Sequence, residues 1–175
     1  MIEVLVTIVI LALGLLGLAG LQSHLQVSEM ESYQRAQALI LLNDMANRIT
    51  TNRNNAANYV TGPTAPLGAG ATCPNVSSTS TRQQADVAEW CNALQGAAET
   101  MGSARVGAMV GGRGCIESLG SNQYMITVAW QGLAAISAPP ASVACGINLY
   151  NDTNTCTNDR CRRAVTTIVR IATLT

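Results

Sequence analysis

Phenylalanine and lysine are missing altogether, histidine occurs once, and aromatic residues make up only 3% of the 175-residue chain. So small a supply of rings excludes an aromatic core. Packing must rest on aliphatic side chains, with Trp90 and Trp130 as the bulky fillers. Charge is scarce too: charged residues are 11%, ten basic against ten acidic, and the formal net charge is zero. That balance excludes a global field that would draw the chain to nucleic acid or to an anionic membrane surface. All the basic residues are arginine, and the absence of lysine carries no functional reading. No CxxC occurs, and the single histidine, His24, is far in sequence from every cysteine, which argues against a zinc site. GxSxG, HExxH and phosphate-loop patterns are absent as well. Asp86 and Glu89, spaced i, i+3, read as complements to a helix dipole rather than as an acid–base pair. His24 reads as a helix-surface or interface residue rather than a base. No catalytic residue, cofactor or metal ligand is assigned, and an enzyme is not expected.

What is present starts with a long apolar run. From Val4 to Leu21 only Thr7 interrupts about 18 apolar residues, near the lower limit for a membrane span. No basic segment precedes it and no A-x-A-like cleavage site follows, so it is not an ordinary secretory signal. Helix-forming sequence simply continues after it. "SHLQVSEMESYQRAQALILLNDMANRIT" contains neither Gly nor Pro, and Ala38, Leu42, Met45, Ala46 and Ile49 share one face at helical spacing. Asn43, Asp44, Asn47 and Arg48 lie opposite. Glu31–Arg35 and Asp44–Arg48 are i, i+4 pairs in the favourable order. The expectation is one helix over 1–52, roughly 75 Å long at about 1.5 Å per residue. Its half 1–21 would sit in an apolar medium, and its amphipathic half 22–52 would pack on a domain. Gly14, Gly17 and Gly20 fall three apart in the apolar half. They read either as close helix packing or as a locally meltable stretch.

Six cysteines, Cys73, Cys91, Cys115, Cys145, Cys156 and Cys161, follow the apolar segment. An even, widely spaced set of this kind points to disulfides formed outside the cytoplasm. Many pairings are open to six cysteines; the expectation carried forward is the sequential one, Cys73–Cys91, Cys115–Cys145 and Cys156–Cys161. Richness in Ala, Gly, Ser, Thr and Asn likewise suits an exported bacterial protein.

Residues 53–82 are rich in Gly, Pro, Ser and Thr and read as a long loop. A second helix is expected over 83–100, capped by Ser80 or Thr81, with Val87, Trp90, Cys91, Leu94 and Ala98 on one face. Beyond it the period becomes two. "ARVGAMV", "GCIESL" and "QYMITVAWQG" read as a β-meander over 104–131, with "GGR" and "GSN" as turns. In its last strand Tyr124, Ile126, Val128 and Trp130 alternate with Met125, Thr127, Ala129 and Gln131, the pattern of a sheet buried on one face. A disulfide-bearing loop over 132–161 and a last strand over 162–173 complete an α+β domain spanning 53–175. Arg160, Arg162 and Arg163 form the one basic cluster. With Asp159 beside it and no interleaved aromatic residues, it is a poor footprint for nucleic acid.

"MIEVLVTIVILALGLLGLAGLQ" resembles the N-terminal segment of type IV pilins and pseudopilins. The later "AEWC", "YMITVAWQG" and "CRRAVTTIVRI" resemble those of PilV-type minor pilins. The resemblance implies the pilin fold: a long N-terminal helix on a C-terminal antiparallel sheet, with a short second helix and disulfide-tied loops. It implies a structural subunit of a type IV pilus that primes assembly and joins a tip-associated minor-pilin complex, serving adhesion and twitching motility. Its partners would be other minor pilins, the major pilin, a large tip adhesin and, transiently, the inner-membrane assembly platform. Before assembly the chain would be a single-pass inner-membrane protein with a periplasmic domain; afterwards it would be extracellular, at the pilus tip. In that family Glu3 corresponds to the glutamate that meets the N-terminal amine of a neighbouring subunit. A leader peptide ending in Gly, and a methylated aromatic first residue, would then lie before Met1. A type II secretion pseudopilin and a membrane-anchored periplasmic binding module are the alternatives, the second from a different functional class.

Overall fold

The computed structural model describes residues 2–97, 100–102, 104–105 and 109–172. The first element is a helix of 50 residues, α1 (Ile2–Thr51). The chain divides into two compact units, Met1–Tyr33 and Gln34–Thr175.

In the second unit, α1 buries Gln34, Ala38, Leu42, Met45 and Ile49. Steps of four and three residues keep these on one stripe, and that stripe faces the core. Ala46 is partly buried against the same cluster. Past Thr51 the backbone tightens into a 3-10 segment, Arg53–Tyr59, which buries Ala56 and Tyr59 where a plain loop was expected. The reason is a local bond set: Asn55 donates backbone and side-chain N–H groups to Asn52, and the Asn52 amide reaches the Tyr59 hydroxyl.

Helix α2 (Arg82–Leu94) begins at a capping box, in which Thr81 and Gln84 satisfy each other's backbone N–H. It stops six residues earlier than the expected 100. Gly96 adopts a left-handed φ of +79°, a C-terminal geometry that glycine accepts without strain. Ala98, expected on the apolar face, lies outside the described residues.

Of the expected meander, the first strand is corrected. Among the described residues Ala104–Arg105 is strand (β3), paired with β2 (Thr100–Met101) in a separate two-stranded ladder, and 109–110 is not strand. Residues 106–108 lie outside the described set. The main sheet instead recruits β1 (Leu67–Gly68) from the 53–82 loop, beside β4 (Arg113–Gly120), β5 (Gln123–Gln131) and β6 (Arg162–Arg170), all antiparallel in the order β1-β4-β5-β6. Two things hold β1 there. The Gln95 amide donates to the carbonyls of Gly68 and Ala71 at 3.0 and 2.8 Å, and Cys73 is bonded to Cys91 on α2. β4 and β5 are joined by a two-residue turn, Ser121 and Asn122, both at positive φ, which matches the twist of a hairpin.

Tyr124, Ile126, Val128 and Trp130 of β5 join Ile116 and Val169 in one core with the α1 stripe and with Val87, Trp90 and Leu94 of α2. The opposite face of β5 is not simply solvated, as the alternation implied. Thr127 and Ala129 are also buried, because the 132–161 loop folds back over them and is fastened by Cys115–Cys145. Close approach is built in at Gly114, where a β-carbon would collide with the Trp90 ring and would sit 2.7 Å from a Leu94 methyl.

Candidate functional site

Between Ile2 and Leu21, thirteen large aliphatic side chains are exposed, from Ile2 at 76% to Val6 at 52%. Full burial of one such side chain is worth about 1.5–3 kcal/mol, so leaving this set in water costs on the order of 10–20 kcal/mol. That matches the entire stability of an ordinary domain, about 5–15 kcal/mol. The stretch therefore requires an apolar medium or apolar neighbours. α1 is long and apolar enough to cross a membrane, and as an N-terminal helix it is consistent with a single-pass anchor.

The polar atoms within this segment are handled economically. The Thr7 hydroxyl donates to the Val4 carbonyl at 2.9 Å, which removes its need for water. Glu3 is exposed in the first turn, where a carboxylate complements the helix dipole. A β-carbon at Gly14, Gly17 or Gly20 would meet nothing within 4 Å. Each glycine costs roughly 1 kcal/mol of helix propensity relative to alanine. Within the unit nothing offsets that cost; close approach by an outside helix would.

In the second unit, α1 is bound to α2 by a charged cluster centred on Arg48. Its guanidinium reaches Asp44 at 2.9 Å, Asp86 at 2.9 Å and Glu89 at 2.7 Å. Asp86 is buried and also accepts from Arg82 at 3.0 Å and from the Tyr59 hydroxyl at 2.5 Å. Burial works to lower the pKa of Arg48, but hydrogen bonds to Glu89, Asp44 and Asp86 outweigh it and carry the value up. Burial and the Asp86 hydrogen bond push the Tyr59 phenol up to about 12. The Trp90 indole donates to the Leu41 carbonyl at 2.9 Å, adding a second tie between the helices. Asp86 and Glu89 thus answer Arg48 and lie beyond the first turn of α2, not at the dipole position the sequence suggested. Arg48 belongs to this buried contact although its helical phase placed it on the polar face. Tyr59 had no sequence signal beyond being one of four tyrosines.

The cysteines pair as Cys73–Cys91, Cys115–Cys145 and Cys156–Cys161, closing separations of 18, 30 and 5 residues. The basic cluster does not form a surface patch. Arg162 is fully buried, donates to the Val143 and Cys145 carbonyls at 2.6 and 3.1 Å, and lies 3.3 Å from Asp159. Arg163 donates to the Ala134 and Arg160 carbonyls. Asp152 accepts three backbone N–H groups, from Cys156, Asn154 and Thr155, and they hold its carboxyl below the usual range. Among the described residues no cluster of three or more His, Cys, Asp or Glu side chains is arranged to hold a metal. His24 is exposed on α1. No family model, no curated protein and no solved structure matches this chain.

Proposed function

We propose that the chain is a minor pilin, a structural subunit of a type IV pilus that helps to prime assembly within a tip-associated minor-pilin complex. The observation that carries this reading is the composition of the exposed α1 segment: thirteen bare aliphatic side chains, a carboxylate at position 3 and three glycines at which an added β-carbon would meet nothing within 4 Å. An anchor that only spans lipid needs the aliphatic residues. From Glu3 it gains only a favourable helix-dipole contribution of about 0.3–1 kcal/mol, against roughly 2.5–3.5 kcal/mol for a charge in hydrocarbon even on lenient scales. A subunit whose helix leaves lipid to stack on other helices gains a register key, because the carboxylate can pair with a neighbour's N-terminal amine. The pilin fold is the finer form of the α+β arrangement described above, and the resemblance of the N-terminal segment supports it.

On this reading the chain waits in the inner membrane with its disulfide-tied domain in the periplasm. It then enters the fibre with other minor pilins and the major pilin, with a tip adhesin and the assembly platform as further partners. Complementation in the encoding bacterium tests it. A null strain should lose surface pili, and wild-type chain should restore them. If pili persist in the null while protein secretion fails, the secretion pseudopilin replaces this reading. If neither pili nor secretion is affected, the anchored binding module does.

A further inference from the structure

β6 is the outermost strand on one side of the main sheet, and among the described residues no backbone group pairs with its far edge. The Ile171 N–H donates to the Asn122 carbonyl at 2.9 Å, and the Gly132 N–H donates to the Cys161 carbonyl at 2.7 Å. These two bonds fix the phase of the β5–β6 ladder, whose register runs unbroken from Gln123↔Arg170 to Gln131↔Arg162. Odd-numbered residues of β6 therefore turn their N–H and C=O groups toward β5. Those of Ala164, Thr166, Ile168 and Arg170 point away from the sheet. Among the described residues none of these four donates or accepts a backbone bond on that side.

The other side of the sheet is treated differently. There the boundary strand, β1, is only two residues long, and the Thr61 and Gly62 N–H groups cap the outward Ile116 carbonyl. Short edges, proline, bulges and mid-strand charges are the usual guards against edge pairing. β6 has none of them: nine residues, "RRAVTTIVR", β-branched through the middle, with a regular register and arginine only at the ends. Ile168 stands 51% exposed on the outer face, ready to be covered.

We infer that the β6 edge receives an extended segment of a partner protein as a fifth strand, and that this segment is acidic at its ends. The charge preference comes from Arg170 at one end of the edge and Arg160 just before the other. Both are exposed, and neither makes an ion pair among the described residues. β6 itself carries no carboxylate. A second copy of this chain fits poorly, because antiparallel self-pairing would bring Arg170 of one strand to the arginine end of the other. Main-chain bonds would supply affinity, and the end charges would supply selectivity. The inference stands apart from the pilin reading, since it needs only the sheet.

The test uses the full chain in detergent micelles. The probe is a capped synthetic peptide of alternating valine and threonine, matched in length to β6, with glutamate at both ends. A control peptide carries arginine at both ends. Residue-resolved amide exchange is read at 164, 166, 168 and 170. With the acidic peptide these amides should slow by about tenfold or more, while the control peptide leaves them unchanged. Thr166→Pro removes an outward N–H without touching the β5–β6 ladder, and should abolish the protection. Arg170→Glu, an exposed change independent of any folding defect in the proline variant, should reverse the preference between the peptides. Three results would overturn the inference. The four amides could already be protected in the chain alone, protection could rise with chain concentration without peptide, or both peptides could act equally.

Discussion

Replacing Arg48 by methionine removes the cation that gathers three carboxylates, and the size of the effect is set by the one that cannot reach water. Asp86 has a side chain 2% exposed, whereas Asp44 and Glu89 are 39% and 61% exposed. Breaking a fully buried ion pair costs about 3–5 kcal/mol. Here Arg48 is itself 21% exposed, and Arg82 and Tyr59 still serve Asp86, so a loss of about 2–3 kcal/mol is expected. The contacts to Asp44 and Glu89 add no more than about 0.5 kcal/mol each. The assay is denaturant unfolding of the full chain in mild detergent, followed through the fluorescence of Trp90 and Trp130. Glu89→Gln should then fall within about 0.5 kcal/mol of wild type. The double variant Arg48→Met/Asp86→Asn should recover about 1 kcal/mol relative to Arg48→Met alone, since neutralising Asp86 relieves the orphaned charge. An Arg48→Met chain as stable as wild type, or a double variant whose losses simply add, would refute this accounting.

Gly114→Ala should destabilise the domain by about 1–3 kcal/mol or more in the same unfolding assay, because the new methyl enters the Trp90 ring against a rigid sheet. Glu117, half-buried on β4 with one carboxylate oxygen buried and without a partner, has its carboxyl pushed above the usual range by burial. The folded state therefore holds that proton more tightly than the unfolded state does. Its contribution is intact below the ordinary carboxyl value and is lost as pH rises through the raised one. Unfolding midpoints across that window should fall with pH in wild type relative to Glu117→Gln; parallel curves would contradict this. Removing the Cys115–Cys145 bridge with serines should cost about 3.5 kcal/mol for its 30-residue loop, against about 2 kcal/mol for the short Cys156–Cys161 loop, read as a difference in denaturation midpoint.

Much of this architecture was legible because it rests on periodicity. The stripe from Ala38 to Ile49 and the alternation from Tyr124 to Trp130 both follow from one buried face, which a sequence displays directly. The boundary of α2 was misread because Gly96 ends it in a left-handed conformation, while apolar spacing continues past it to Ala98. The recruitment of Leu67–Gly68 as a strand was not legible at all. Two residues carry no period, and their place depends on Gln95 and on the Cys73–Cys91 bridge, both remote in sequence. The Arg48 cluster was hidden for a similar reason. Its i, i+4 pairing with Asp44 is local, but Asp86 and Tyr59 become neighbours only after α2 and the 3-10 segment fold onto α1. The apolar segment, by contrast, was fully legible: among the described residues nothing in its own unit covers it, and its surface is its sequence.

The most direct measurement is to shear surface fibres from the encoding bacterium and quantify this chain in the fibre and membrane fractions, for wild type and for Glu3→Ala. If the helix is an assembly element, wild-type chain appears in the fibres, and Glu3→Ala accumulates stably in the membrane but is absent from them. If wild-type chain never leaves the membrane, or Glu3→Ala enters the fibres as wild type does, the minor-pilin reading with Glu3 as its register key is wrong.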